Sequence, residues 1–381
     1  MKILCITHNV GGNAAGIIFE RIIAGLSKIH KVVVFTYYND KSLDNSLNNI
    51  QNVTPFSLHP RIQGILTFYT GVDLTGYFFG IRIKNQIKDT DKFDLILCLV
   101  SNHNIDCIKA GILLKKSLKS KLAVYSVDPI PEPNVWSNNS TFYRGKKRII
   151  RKYLPHLNAF FSANKAMLNY QRTQFRFNDE CIFDIIYTPS PHKSNYRFSN
   201  NTTKIFLYTG EIYGLRRSKY IIKAFNLLLK DYSDVQLHFI GCSEKNIDFH
   251  EINENNRQQI KIFPYANNLH SYFQNAYALI DIDADINDDV FLSSKIVNYI
   301  TINRPILCET GDNSPSRNIF NGIQSIIQCG HNYIELYNGM KKLIEFPITD
   351  FSDREDVIKL FSIDENISKL NRNISKLVLT Y

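Results

Sequence analysis

The residues best suited to chemistry sit where short apolar runs give way to loops. The first such run ends in HNVGGNAAG, residues 8–16, and leads straight into the amphipathic stretch IIFERIIAGLSK. Gly11 and Gly12 let the backbone come close to a ligand at the start of that helix, where free N–H groups and the helix dipole favour anions. The spacing Gly11, Gly12, Gly16 is not G-x-G-x-x-G, so the dinucleotide fingerprint is absent and a plain tight turn stays open as the other reading. A second run, KIFLYTG, ends at Gly210 and is followed by Arg216 and Arg217 just before another helical pattern. Two guanidiniums there can grip a diphosphate or form a solvated charge pair. A third run, ALIDID, opens into an acidic loop and then Ser293, Ser294 and Lys295 at the head of a helix of about eight residues. Ser293 can cap that helix, whereas Lys295 in its first turn opposes the helix dipole, a cost that a bound anion would offset.

Such groups need a scaffold that holds loops at strand ends, and the rest of the chain supplies one. Val-, Ile- and Phe-rich runs alternate with longer amphipathic stretches, the pattern of βα units in a parallel sheet. Strands are expected at 2–7, 31–38, 53–58, 94–100, 121–128 and 159–163, then at KIFLYTG, VQLHFIG, IKIFPY, ALIDID and RPILCE. Between the two series, SPHKSNYRFSNNTTK has turn formers and no apolar periodicity, and reads as a linker. The expected architecture is α/β, with two doubly wound, Rossmann-like domains at 1–189 and 204–381 joined by a linker at 190–203. The last helical stretch is a candidate to cross back onto the first domain. Ligands of such sheets bind beyond the carboxyl ends of the strands, and two facing domains would gather those ends around one cleft.

Composition agrees with packed domains: 44% of the 381 residues are hydrophobic, 21% charged and 12% aromatic. The net charge of +10 attracts phosphate-bearing partners. Seven cysteines, an odd number with no C-x-x-C pair, read as reduced core thiols of a cytosolic protein. The opening MKILCITHN reads as a first strand rather than a signal peptide, and Asp73 with several Gly and Thr interrupts the apolar stretch 64–81, so no transmembrane helix is expected. The segment YRGKKRIIRKYL carries Arg144, Lys146, Lys147 and Arg148 beside an apolar side of Ile149, Ile150, Tyr153 and Leu154. That suits a helix lying on an anionic bilayer, or else a solvated helix packed on its own domain. Nucleic-acid binding is set aside, because no zinc spacing, aromatic RNA-binding signature or basic repeat accompanies the charge.

The order of these motifs resembles a known family. Tyr208-Thr209-Gly210, then Tyr213-Gly214 and Arg216, a helix, an apolar strand and SKIVNYITINRPIL resemble the donor half of the family 4 glycosyltransferases, which have the GT-B fold. FDLILCLVSNHN, a helix, KLAVYSVDPIPEP and PHLNAFFSANKAMLNY resemble the acceptor half. The resemblance implies that Arg216 or Arg217 and Lys295 hold a nucleotide diphosphate and neutralise it as it departs. Gly11, Gly12, Gly210, Asp289, Ser294 and Asn298 would complete the donor site, and Asp128 or His103 would face the acceptor hydroxyl or the donor sugar. It implies a retaining hexosyltransferase that needs no metal, no cofactor beyond the nucleotide sugar as co-substrate and usually no enzymic nucleophile. The acceptor would be a glycan or lipid-linked glycan in surface polysaccharide biosynthesis, with the protein in the cytoplasm and peripheral at the inner face of the membrane. Relatives usually carry glutamate three residues after the lysine, for the ribose, and an acidic residue eight positions earlier; here Asn298 and Val290 stand there, with Asp288 and Asp289 adjacent. Glu211 stands where some relatives have arginine. These departures keep two alternatives open: a catalytically impaired GT-B-like binding or assembly subunit, and a nucleotide-sugar epimerase. Of His8, His103 and His156, His103 has the best position for a direct role and His156 reads as structural.

Overall fold

In the run LILCLV every residue is fully buried, as a strand must be when helices cover both faces of a parallel sheet. It is one of nine strands in the first half of the computed structural model, which describes residues 1–40, 49–56, 58–88, 90–137, 141–197 and 203–379. They are β1 (Lys2–Ile6), β2 (Asn9–Val10), β3 (Lys31–Thr36), β4 (Tyr38–Asn39), β5 (Ile50–Asn52), β6 (Leu95–Val100), β7 (Lys121–Ser126), β8 (Ala159–Ser162) and β9 (Ile182–Ile185). Seven of them form one parallel sheet in the order β5-β3-β1-β6-β7-β8-β9, while β2 and β4 pair separately. Around them run α1 (Ala14–Ser27), α2 (Pro60–Thr70), α3 (Leu74–Gln86), α4 (Asp106–Leu118), α5 (Asn134–Ser137), α6 (Thr141–Tyr153) and α7 (Lys165–Gln174).

The second half repeats the plan with β10 (Lys204–Thr209), β11 (Val235–Ile240), β12 (Ile260–Phe263), β13 (Ala276–Ile282), β14 (Ile306–Glu309) and β15 (Ile326–Cys329), in the parallel order β12-β11-β10-β13-β14-β15. Its helices are α8 (Lys219–Asp231), α9 (His270–Asn275), α10 (Ser294–Tyr299), α11 (Pro315–Ile319), α12 (Tyr333–Glu345) and α13 (Glu355–Leu360), and α14 (Ile363–Leu379) ends the chain's described part. Strand order reverses between β1 and β6 in one sheet and between β10 and β13 in the other. At such switch points the connecting loops diverge and leave a crevice at the strands' carboxyl ends.

The chain divides into two compact units, Met1–Pro189 with Ile363–Tyr381, and Ser190–Ser362. In the first, Ile367, Leu370, Ile374 and Leu377 of α14 join a core with Ile18, Ile22 and Leu26 of α1. Residues 190–197, expected as linker, instead bond along the second unit: Ser194 N–H donates to Thr301, and Tyr196 N–H donates to the Asn303 side chain. The turn-former count missed this because the stretch takes its order from a neighbouring surface and has no apolar period of its own. Three further differences are local. The strand expected at 53–58 lies at β5 instead, with Val53 buried just beyond it and Ser57 outside the described residues. β9 and β15, four residues each, were not foreseen, and α10 has six residues rather than about eight. All seven cysteines are free and buried. No helix among the described residues is long and apolar enough to cross a membrane.

The basic helix α6 turns its apolar side inward, the second of the two readings that this segment allowed. Ile149, Ile150, Tyr153 and Leu154 are at most 5% exposed in a core shared with β6 and β7. Lys146 goes inward as well, donating to the Asn102 carbonyl at 3.1 Å, while Arg148 donates to the carbonyls of Phe68 and Tyr69. Helical periodicity marks an apolar side but does not say whether lipid or a neighbouring helix covers it. Arg144 and Arg148 remain exposed and Lys147 is half-buried.

Candidate functional site

In the second unit the switch point brings three separate segments together. Gly210 ends β10 at φ +87°, a conformation glycine adopts freely, and its N–H donates to Ile240 at 2.7 Å. A Cβ there would lie 3.0 Å from Cε of Lys295, so any side chain at 210 would displace the lysine. Lys295 itself is fixed by α10. Ser293 caps that helix by accepting from Lys295 N–H and donates its own hydroxyl to Asp281 at 2.6 Å. The Lys295 ammonium lies 3.5 Å from the Glu211 carbonyl oxygen and 5.2 Å from the centre of the Tyr208 ring. The third segment is the loop after Gly210, where Arg216 forms an isolated antiparallel bridge with Ala284 and Asp285 N–H donates to Leu215. Arg216 is 5% exposed, with its guanidinium 4.9 Å from the centre of the Tyr213 ring.

The electrostatics follow from this crowding. Burial, and then the repulsion of Arg216, hold Lys295 down to about 8, with Asp281 pulling the other way. Asp281 is pushed up by burial and by the neighbouring Asp283. Asp283 accepts from Thr310 at 2.8 Å and Ser314 at 3.2 Å. A lysine lowered first by burial and then by a neighbouring cation is one whose ammonium form a bound anion would favour.

The expected donor residues separate into two groups here. Gly210, Arg216 and Lys295 converge, with Ser294 next to the lysine and Asn298 one turn along the same short helix, both half-buried. Arg217 is exposed and donates to the carbonyls of Gly214 and Arg216, so it is an outer residue. Asp289 is 2% exposed and accepts from Phe291 N–H, while exposed Asp288 accepts from Asn313. Glu211 accepts from Ser243 N–H and the Asn246 amide, an anchor for its loop.

In the first unit the loop after β1 is a tight turn. Gly11 and Gly12 lie at φ +72° and +73°, Asn13 caps α1 by accepting from Gly16 N–H, and a Cβ on Gly16 would meet the Gly11 carbonyl oxygen at 2.0 Å. A cavity of about 160 Å³ is lined by His8, Asp73, His103, Asp106, Phe142 and Lys146 among others. His103 is exposed, and its N–H donates to Ser101. Asp128 does not line the cavity; its carboxylate accepts from Asn102 N–H at 3.2 Å and so tethers the loop that carries His103. His156 sits in a 3₁₀ turn and its carbonyl accepts from Lys115.

Sequence reasoning did not single out Asp73, Asp106 or the inward turn of Lys146. Asp73 caps α3 through Gly76 N–H and accepts from the Tyr153 hydroxyl at 3.0 Å, and burial pushes it up. Asp106 opens α4 with Nε2 of His8 2.8 Å from its carboxylate. The signal in the sequence was the acidic residue soon after the β6 run. His8, Asp106 and Cys107 are the one group among the described residues whose donor atoms lie close enough for a metal, within 4.8 Å. Burial and Asp106 push the Cys107 thiol well above its ordinary range.

No family model and no curated protein sequence matches the chain. Solved structures do. The lipopolysaccharide outer core galactosyltransferase WaaB, in its apo form, superposes with a TM-score of 0.65 at 14% identity, covering 99% of both chains. Anabaena HepE in complex with UDP and glucose gives 0.68 at 10% identity, over 98% of this chain and 99% of its own. A glycosyltransferase from Rickettsia africae gives 0.67 at 12% identity, over 100% and 99%. The chain has the GT-B fold. Both units carry a polar cluster at the carboxyl end of the sheet beside the switch point.

Proposed function

We propose that the protein is a glycosyltransferase that moves a sugar from a nucleoside-diphosphate sugar to an acceptor hydroxyl. The observation that carries this is the convergence of Arg216, buried in the loop after β10, and Lys295, half-buried in the first turn of α10, at the β10/β13 switch point with Gly210 against the lysine. Preorganised cations of this kind stabilise a departing diphosphate by several kcal/mol, on the order of 3 to 4 for one well-placed donor. HepE in complex with UDP-glucose shares the fold, which supports a uridine diphosphate sugar as the first donor to try. The resemblance to the family 4 enzymes adds the finer reading: a hexosyl group, retention of anomeric configuration and no metal. It also supports a glycan or lipid-linked acceptor, with the protein working at the cytoplasmic face of a membrane, held there by Arg144, Lys147 and Arg148.

A second reading, that of a binding or assembly subunit without turnover, is favoured by Asn298 and Val290 standing where carboxylates are usual. An amide holds a ribose hydroxyl with a neutral hydrogen bond only. Calorimetry with UDP together with UDP release from UDP-glucose tests both. Binding with release supports the enzyme, binding without release from any sugar nucleotide supports the subunit, and no binding removes the site.

A further inference from the structure

The first unit holds a second cavity, of about 490 Å³, walled by helices and turns rather than by strand ends. Its lining comes from the turn at 71–73 between α2 and α3, the first turn of α3, the second turn of α4, and the end of α6 with the 3₁₀ turn that follows. The volume falls within the range of small-molecule sites, about 300 to 1,000 Å³.

Three basic side chains from separate elements meet there: Lys109 of α4, Lys152 of α6 and His156 of the 3₁₀ turn. None of them forms an ion pair among the described residues. Lys152 donates to the Gly71 carbonyl at 3.2 Å, which uses one of its three hydrogens. The Lys109 ammonium and the His156 ring have no hydrogen-bond partner among the described residues. The acid in the lining, Asp73, is 5% exposed and already occupied, accepting from Gly76 N–H at 2.9 Å and from the Tyr153 hydroxyl at 3.0 Å. The surroundings add more positive charge. His156 is held below its ordinary value by burial and then by Lys115, Lys116 and Lys109, a field that no acid offsets. Against these cations stands an apolar wall: Ile112 and Tyr153 are buried, while Val72 and Tyr77, each 42% exposed, stay open to a ligand. A solvated lysine accounts for Lys109 or Lys152 taken singly. Their convergence with a histidine on an apolar recess is what an anion with an apolar body requires.

We propose that this cavity binds a phosphomonoester, with Lys109, Lys152 and His156 holding the phosphate and Val72, Tyr77 and Ile112 receiving an apolar or ring-bearing body. The site lies wholly in the first unit and is independent of the glycosyl-transfer reading. A phosphomonoester carries a charge of about −1.5 to −2 near pH 7, which two ammoniums match, and its three terminal oxygens can accept from all three side chains at once. Soluble aryl or sugar phosphates and the headgroup of phosphatidic acid share this chemistry.

The test uses the full chain. Calorimetry with phenyl phosphate, glucose 6-phosphate and inorganic phosphate reads the soluble source, and flotation with phosphatidylcholine vesicles containing phosphatidic acid or phosphatidylglycerol reads the lipid source. Phenyl phosphate is expected to bind with a Kd of about 1 mM or tighter, and more tightly than inorganic phosphate. Lys109→Met and Lys152→Met should each weaken that binding about threefold to tenfold, and Arg216→Ala should leave it within about twofold. Phenyl phosphate should also raise the midpoint of the His156 ring titration followed by NMR, because a bound anion offsets the lysines' repulsion, and the rise should shrink in Lys109→Met. Phosphatidic acid favoured over phosphatidylglycerol, lost in the same variants and without soluble binding, would support the site with a lipid headgroup as its ligand. Binding of neither source overturns the proposal, as does binding that Arg216→Ala abolishes. Lys152→Met also loses the Gly71 contact, so Lys109→Met, which breaks no hydrogen bond, decides the matter: unchanged affinity in that variant overturns the site.

Discussion

Lysine ordinarily gives up its proton near 10.5, and in this fold burial followed by Arg216 holds Lys295 down to about 8. Only the ammonium form attracts a diphosphate. A group at about 8 is about nine-tenths protonated at pH 7 and about one-tenth at pH 9, so the binding-competent fraction falls about tenfold between them. Affinity for UDP is therefore expected to weaken by about 1.4 kcal/mol over that interval in the wild type. In Lys295→Met that component vanishes and the weaker binding varies far less. The same shift acts on stability with the opposite sign. The folded protein disfavours the ammonium, a cost fully present below about 8 and relieved as pH rises toward 10.5. At 1.36 kcal/mol per pH unit the gap corresponds to about 3 kcal/mol, and the half-buried position of the side chain lowers this to about 2. Lys295→Met should thus melt higher than the wild type at pH 7, with the advantage shrinking above pH 8. Calorimetric titrations with UDP and thermal melts at pH 7, 8 and 9 measure both effects. Equal pH dependence in the two proteins, together with a variant that melts lower at pH 7, would refute the reasoning.

Arg216→Ala is expected to weaken UDP binding by about 1 to 3 kcal/mol, as loss of a buried charge-assisted contact does, and Arg217→Ala by less than about 0.5, both read by calorimetry. Replacing Arg144, Lys147, Arg148 and Arg151 with glutamine should lower flotation with phosphatidylglycerol vesicles at low salt and leave UDP affinity unchanged, because these cations lie outward or half-buried on α6. Asp128→Asn should cost about 1 kcal/mol of stability through its contact with Asn102 N–H and spare turnover; reduced turnover at unchanged melting temperature would return Asp128 to the catalytic residues.

What the sequence made legible is the part that local pattern controls. The buried runs of β1, β6, β7 and β10 announce themselves because a two-sided parallel strand is apolar throughout, and the glycine loops mark where such strands end. Gly210, Arg216 and Lys295 were recoverable because they lie just after a strand, just before a helix and in a helix's first turn. What stayed hidden is what only tertiary structure decides. His8 and Asp106 are 98 residues apart, and nothing local says that β1 will lie beside β6. Lys146 sits in a run of cations, and only the packing of α6 against its own unit separates it from Arg144 and Arg148. The short strand β15 contributes Cys329 to its core and Ile327 to the rim, yet four residues give too little period to read.

Glycosyl transfer by this chain requires that it consume a sugar nucleotide. Purified protein incubated with UDP-, dTDP- and GDP-linked hexoses and a membrane glycan extract should release nucleoside diphosphate from one of them, in step with sugar appearing in the extract. Arg216→Ala and Lys295→Met should each abolish that release. Protein that binds none of these nucleotides and releases none would contradict the central claim.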